Sequence, residues 1–98
     1  METLARHLVI RGRVQGVGYR AWVAEQARSL GLGGWVRNRR DGSVEAVVDG
    51  PDAIVADMIA RCRRGPVAAR VDTIDEAAAS DDLLRLRGRE PFAVLPTI

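Results

Sequence analysis

The chain has 98 residues, of which 47% are hydrophobic, and its 15 basic and 13 acidic residues leave a net charge of only +2. This length supports a single domain over residues 1–98 and leaves no room for a substrate domain beside a cofactor domain. Every basic residue is an arginine, and the lack of lysine excludes a Schiff base, a lysine general base and a Walker-type phosphate lysine.

The sequence contains one cysteine, Cys62, and one histidine, His7. A lone cysteine cannot form an intramolecular disulfide, and this pair is too small for a zinc cluster. The sequence shows neither an apolar signal segment nor an apolar run that approaches the about 18 residues of a membrane span. We therefore expect a cytoplasmic protein that has no metal, no cofactor and no membrane contact.

Residues 4–14 alternate in hydropathy and predict a β-strand that leads into a glycine-bearing turn, residues 14–20 (VQGVGYR). Gly16 and Gly18 allow the backbone to bend so that successive N–H groups converge, and the following helix start adds its own unpaired N–H groups. Arg20 contributes a planar fork of donors that matches phosphate oxygens in pairs. The turn is therefore predicted to bind an anion such as phosphate.

Residues 20–30 have helical apolar spacing, and Gly31 is predicted to end this helix. Two short strands follow, at residues 33–39 and 43–49, and the intervening Arg-Asp-Gly predicts a hairpin. A two-residue loop would mix charged and apolar side chains on each face of the hairpin.

A three-residue loop instead pairs Arg37 with Glu45 on one face of the hairpin. The other face then carries Val36, Asn38, Val44, Ala46 and Val48. This register places Asn38 at the turn end of its strand, on the face that the helices cover.

Pro51 and Asp52 are typical of a helix start, and Gly65 followed by Pro66 is typical of a helix end. Residues 67–75 predict a fourth strand, whereas residues 77–82 indicate a surface connection or a short helical turn. Residues 91–96 could add a short edge strand, where flanking prolines are tolerated.

The resulting order is strand, helix, strand, strand, helix, strand and a short tail strand. Right-handed crossovers fold such a chain into a ferredoxin-like α+β sandwich (βαββαβ), with an antiparallel sheet of four to five strands and two helices on one face. In that arrangement the first and second strands run parallel with the third between them. The glycine turn and Asn38 are therefore expected at the same edge of the sheet.

Two stretches of the sequence resemble the signatures of the acylphosphatase family: residues 12–20 (GRVQGVGYR), and residues 34–38 (GWVRN) followed by 42–45 (GSVE). They occur in the expected order and spacing. Tyr19 departs from the pattern because the family more often carries phenylalanine there, and its hydroxyl requires a hydrogen-bond partner.

The resemblance implies hydrolysis of the mixed anhydride between a carboxylic acid and phosphate, without a metal or cofactor. It also implies that Arg20 binds the phosphate and that Asn38 holds the attacking water. A carboxylate leaving group, with a pKa of about 4, departs without a general acid. The expected donors to the phosphoryl oxygens are the Arg20 guanidinium and the backbone N–H groups of Gln15, Gly16, Val17, Gly18, Tyr19 and Arg20.

Two alternatives remain open: a non-catalytic ferredoxin-like module that binds phosphate or nucleic acid, and a carbamoyl phosphate-handling relative of the kind that works inside a larger protein. An RNA-binding sheet of this type would carry aromatic side chains on its central strands, and residues 8–13 and 43–49 contain none. We therefore expect a monomer that acts on a small acyl phosphate and does not bind nucleic acid.

Overall fold

The computed structural model describes residues 3–98, with side chains from residue 5 onward. The elements in this part of the chain are β1 (Thr3–Arg13), α1 (Tyr19–Ser29), β2 (Gly33–Asn38), β3 (Val44–Pro51), α2 (Asp52–Arg64), β4 (Arg70–Ala78), α3 (Asp81–Leu84), a 3-10 turn (Arg85–Arg87) and β5 (Phe92–Val94). None of the helices found within these residues is long and apolar enough to cross a bilayer.

The five strands form one sheet in the order β4-β1-β3-β2-β5. Strands β1 and β2 both pair antiparallel with β3, which lies between them, so their C-terminal ends reach the same edge of the sheet. In the β2–β3 hairpin Arg37 pairs with Glu45 and Asn38 with Val44, which confirms the register of the three-residue loop. The predicted ferredoxin-like α+β fold is confirmed.

The main core lies between the sheet and the helices α1 and α2. Alternate residues of the central strands point into it because side chains in a strand face opposite sides in turn. They meet the apolar stripes of the helices, and the buried members include Leu8, Ile10, Val23, Val36, Val44, Ala46, Val55 and Met58. This packing holds the C-terminal ends of β1 and β2 against the start of α1.

The opposite face of the sheet is also partly covered, which the sequence did not predict. Trp35 and Val47 are fully buried there, and Leu83 and Leu84 of α3 pack over them. The indole N–H of Trp35 donates a 2.6 Å hydrogen bond to the carbonyl of Leu83. Residues 79–91 therefore form a strap across this face.

Three expectations about the C-terminal half need correction. Strand β4 begins at Arg70 instead of residue 67, because Ala69 N–H bonds to the carbonyl of Pro66 and closes a turn there. The expected connection or short helical turn at residues 77–82 is only partly right: 77 and 78 still belong to β4, 79 and 80 connect, and the short helix α3 begins at Asp81. The sheet is mixed. The strap returns the chain to the end of the sheet at which β2 begins, so β5 runs parallel to β2.

Candidate active site

A cavity of about 210 Å³ opens at the edge of the sheet where β1 and β2 end. Its wall combines the loop after β1, the first residues of α1 and the last residue of β2, namely Val14, Gln15, Gly16, Gly18, Tyr19, Arg20, Ala21 and Asn38. The structure thus brings the glycine turn and Asn38 together, as the topology predicts. Val14 and Ala21 were not among the predicted site residues.

The loop between β1 and α1 takes its shape from Gly16 and Gly18, whose φ angles are 74° and 79°. Residues that carry a Cβ rarely adopt this left-handed backbone conformation, so glycine is favoured at both positions. Gly18 is the N-cap of α1, and no side chain of the described residues caps the helix. The first N–H groups of α1 therefore remain available at the positive end of the helix dipole.

Arg20 lies in the first turn of α1 and its side chain is half-buried. Among the ion pairs of residues 5–98, none involves Arg20. The wall of the cavity also contains no aspartate, glutamate, histidine or cysteine. The guanidinium is therefore free to bind an anion, and the wall offers none of the side chains that usually hold a metal.

Asn38 is the last residue of β2 and lies opposite Val44 of β3. Its Oδ1 atom is buried and accepts no hydrogen bond from the described part of the protein. Leaving a buried amide oxygen without a partner costs about 1–3 kcal/mol, so such atoms are rare in folded proteins. Asn38 also lines the cavity, so a residue of its wall has an unused hydrogen-bond acceptor.

Gln15 contributes more than the backbone N–H that the sequence assigned to it. Its side-chain Nε2 donates to the carbonyl of Arg39 at 2.7 Å and to the carbonyl of Ser43 at 2.8 Å. These carbonyls belong to the β2–β3 hairpin, so the side chain joins both segments that form the cavity. Only the hairpin register combined with the strand order could have indicated this contact.

Val17 is the one predicted loop residue outside the cavity wall. Its side chain is half-buried and packs against the main core. This contact holds the middle of the loop down on the core, between the two left-handed glycines.

The hairpin turn that follows Asn38 is held by its own side chains. The carboxylate of Asp41 accepts a 2.6 Å bond from Ser43 Oγ and a 2.9 Å bond from Ser43 N. The hydrogen bonds from Ser43 hold the pKa of the exposed Asp41 below its ordinary value. Asp41, the acidic residue nearest to Asn38 along the chain, is thereby hydrogen-bonded within the turn.

A second and larger cavity, of about 400 Å³, lies between α2 and the strands β1 and β4. Arg6 and Arg63 line it together with Asp52 and Glu76, and Arg6 already pairs with Glu76 at 3.8 Å. A phosphate there would meet carboxylates of its own sign, so the smaller cavity fits an anion better.

Comparison with known proteins agrees with this geometry. The model of the acylphosphatase family matches residues 6–86. The chain is 60% identical to an acylphosphatase of Bradyrhizobium diazoefficiens and 57% identical to one of Rhodopseudomonas palustris, in both cases over 100% of the two chains. The crystal structure of acylphosphatase from Bacillus subtilis superposes with a TM-score of 0.82 at 32% identity, covering 94% of this chain and 98% of that one. The chain therefore belongs to the acylphosphatase family.

Proposed function

We propose that this acylphosphatase hydrolyses acyl phosphates by direct in-line attack of water, with no metal. The water oxygen forms a new bond to phosphorus while the bond from phosphorus to the acyl oxygen breaks. The products are a carboxylate, inorganic phosphate and the proton released from water. Such a loose transition state needs positioning and charge stabilisation more than covalent chemistry, which suits a small site.

The phosphoryl group is assigned to the cavity between the glycine loop and Arg20. The N–H groups of residues 15–20 and the Arg20 guanidinium together form what we call the phosphate cradle. They neutralise charge on the phosphoryl oxygens as the bond to the leaving group stretches. The uncapped N-terminus of α1 and the lack of an ion pair from Arg20 to any acid of residues 5–98 support this assignment.

The unpartnered Oδ1 of Asn38 is the observation that carries the catalytic assignment. A water inside the cavity would donate to this oxygen and so point its lone pair at phosphorus. The amide is neutral, so it orients the water without repelling an anionic substrate.

The leaving group determines which substrates this site can process. A carboxylate departs as a stable anion, whereas an alcohol phosphate needs a general acid to protonate its leaving oxygen. The cavity wall supplies no carboxylic acid or histidine for that task. We therefore expect rapid hydrolysis of acyl phosphates and poor turnover of ordinary phosphomonoesters.

The same proposal includes a single domain over residues 1–98, a monomeric state, a cytoplasmic location and no nucleic-acid partner. The buried thiol of Cys62 is compatible with a reducing compartment. Trp35 lies under the strap and is fully buried, so it offers no surface for base stacking. Light scattering would test the monomeric state. An electrophoretic shift assay with RNA and DNA would test whether the protein binds nucleic acid.

The central experiment is phosphate release from acetyl phosphate in the presence of excess EDTA. We expect turnover in the wild type and losses on the order of a hundredfold or more in both Arg20→Ala and Asn38→Ala. Arg89→Ala removes an exposed arginine as a matched control and should retain wild-type activity. Unchanged rates in Arg20→Ala and Asn38→Ala would discard the site assignment, and phosphate binding without turnover would indicate a non-catalytic module.

A further inference from the structure

The side chain of Gln15 connects the phosphate-binding loop to the strand that carries Asn38. Its Nε2 donates to the carbonyls of Arg39 and Ser43 at 2.7 and 2.8 Å, and the side chain is half-buried. Nε2 of a glutamine has two N–H groups, so both bonds use its full donor capacity. One side chain therefore spans from the loop to both sides of the hairpin turn.

The two acceptor carbonyls lie at the base of the hairpin turn. Arg39 N–H donates to the carbonyl of Ser43 at 2.9 Å, and Gly42 N–H donates to the carbonyl of Arg39 at 3.1 Å. Asn38 directly precedes Arg39, so Gln15 holds the hairpin one residue away from the unpartnered Oδ1. Gln15 and Asn38 also share the cavity wall.

We propose that Gln15 is a positioning residue, whose side chain sets the separation between the phosphate cradle and the amide of Asn38. The inference rests on the proposed function, because the separation matters only if Asn38 orients the attacking water. An in-line attack requires the water to stand about 3–3.5 Å from phosphorus and opposite the leaving oxygen. The cradle and Asn38 lie on different segments that the sheet joins through β3, and the Gln15 side chain adds a direct hydrogen-bonded contact between them.

The hydrogen-bond pattern separates this role from a purely structural one. Without the Gln15 side chain, each carbonyl keeps the backbone donor already described, from Gly42 or from Arg39. The hairpin therefore retains its internal bonds and loses only its connection to the loop. Removing the amide should consequently change the alignment of Asn38 far more than it changes the fold.

The test uses Gln15→Leu, which has a similar volume and no hydrogen-bonding group. We expect kcat for acetyl phosphate to fall about tenfold to a hundredfold, the range expected when a positioned group shifts by around an ångström. The inhibition constant for inorganic phosphate, which measures how tightly the cradle binds phosphate, should stay within about threefold of the wild-type value. Gln15→Met provides a second variant with a flexible side chain, and circular dichroism with thermal unfolding checks that both fold.

Gln26→Leu is the matched control. Gln26 is also half-buried, and its Oε1 accepts a 2.8 Å bond from Arg61 on the surface between α1 and α2. The same chemical change there should leave kcat at the wild-type value.

A double variant shows whether Gln15 acts through Asn38. Groups that act through one another have non-additive effects, so adding Gln15→Leu to Asn38→Ala should cost less than about twofold in kcat. Additive losses, an unchanged kcat in Gln15→Leu, or an equal loss of kcat and phosphate affinity would each overturn the inference. Unfolding of both Gln15 variants would also overturn it, since the residue would then hold the fold. If Asn38→Ala alone has no effect, it is the proposed function that fails.

Discussion

The hydroxyl of Tyr19 donates a 2.7 Å hydrogen bond to the carbonyl of Cys62. Tyr19 is the first residue of α1, and Cys62 lies in the last turn of α2. The usual helical partner of the Cys62 carbonyl would be the N–H four residues later, which Pro66 lacks. The tyrosine thus supplies a missing donor at the end of α2 and joins the two helices beside the glycine loop.

Replacing Tyr19 by phenylalanine should therefore lower stability. We expect Tyr19→Phe to reduce the free energy of unfolding by about 1–2 kcal/mol, because a buried carbonyl loses its donor. Urea denaturation of both proteins measures this directly. An equal midpoint and slope would mean that the bond contributes nothing to the fold.

Burial also affects the titration of these two side chains. It raises the pKa of Tyr19 above its ordinary value and raises the pKa of the Cys62 thiol to about 11. Both groups are therefore neutral at physiological pH. The buried thiol is a packing residue of α2 and should react slowly with alkylating reagents.

Arg20→Lys tests whether the cradle needs the shape of the guanidinium or only its charge. Lysine keeps the charge but loses the planar fork that binds two phosphate oxygens at once. We expect kcat for acetyl phosphate to fall about tenfold to a hundredfold and phosphate inhibition to weaken. The exposed Arg89→Lys serves as the matched control. Full activity in Arg20→Lys would show that a point charge suffices.

Gly18→Ala and Gly31→Ala separate loop geometry from general backbone strain. The two glycines have φ angles of 79° and 70°, and an added Cβ would meet no atom within 4 Å at either position. Both substitutions should lower stability by about 1–2 kcal/mol through the left-handed conformation alone. Gly18 lies in the cavity wall, so only Gly18→Ala should also reduce kcat. Thermal unfolding and the phosphate-release assay measure the two effects, and equal activities would contradict the role of Gly18.

Glu45 lies on the face of the sheet away from α1 and α2, where it binds two basic side chains. Its carboxylate accepts a 2.6 Å bond from His7 Nε2 and a 2.7 Å bond from Arg37 Nε. Burial alone would raise the pKa of Glu45, but the hydrogen bonds from His7 and Arg37 outweigh it and hold the pKa below its ordinary value. A carboxyl group with a depressed pKa stabilises the fold above its unfolded-state pKa, which is about 4.3 for glutamate.

The lowered pKa of Glu45 determines how the stability loss in Glu45→Gln depends on pH. At pH 7 the variant should be about 1–3 kcal/mol less stable than the wild type, since two bonds to a charged acceptor are weakened. The difference should shrink as the pH falls below about 4 and the wild-type carboxylate becomes protonated. Urea denaturation of both proteins at several pH values between about 7 and 2.5 measures this difference in the free energy of unfolding. A difference that stays constant with pH would rule out an ionised Glu45 as its source.

Local patterns in the sequence were sufficient for most of the fold. Alternating hydropathy and turn residues predicted the hairpin register, and the pairing of Arg37 with Glu45 confirms it. The start of β4 was placed three residues too early, because Val67 continues the apolar pattern while the backbone still turns at Pro66. The sheet was predicted to be antiparallel, whereas β5 runs parallel to β2, because its direction depends on the strap, whose path across the sheet has no local signal.

The sequence by itself determined the parts of the candidate site: a glycine loop before a helix, Arg20 in its first turn, and Asn38 at the end of a strand. These follow from residue type and spacing over a few positions. Only the tertiary structure decided that Oδ1 of Asn38 is buried without a partner and that the Gln15 and Tyr19 side chains reach backbone carbonyls 24 and 43 residues away. Such contacts depend on how the finished sheet and helices pack, so no local pattern encodes them.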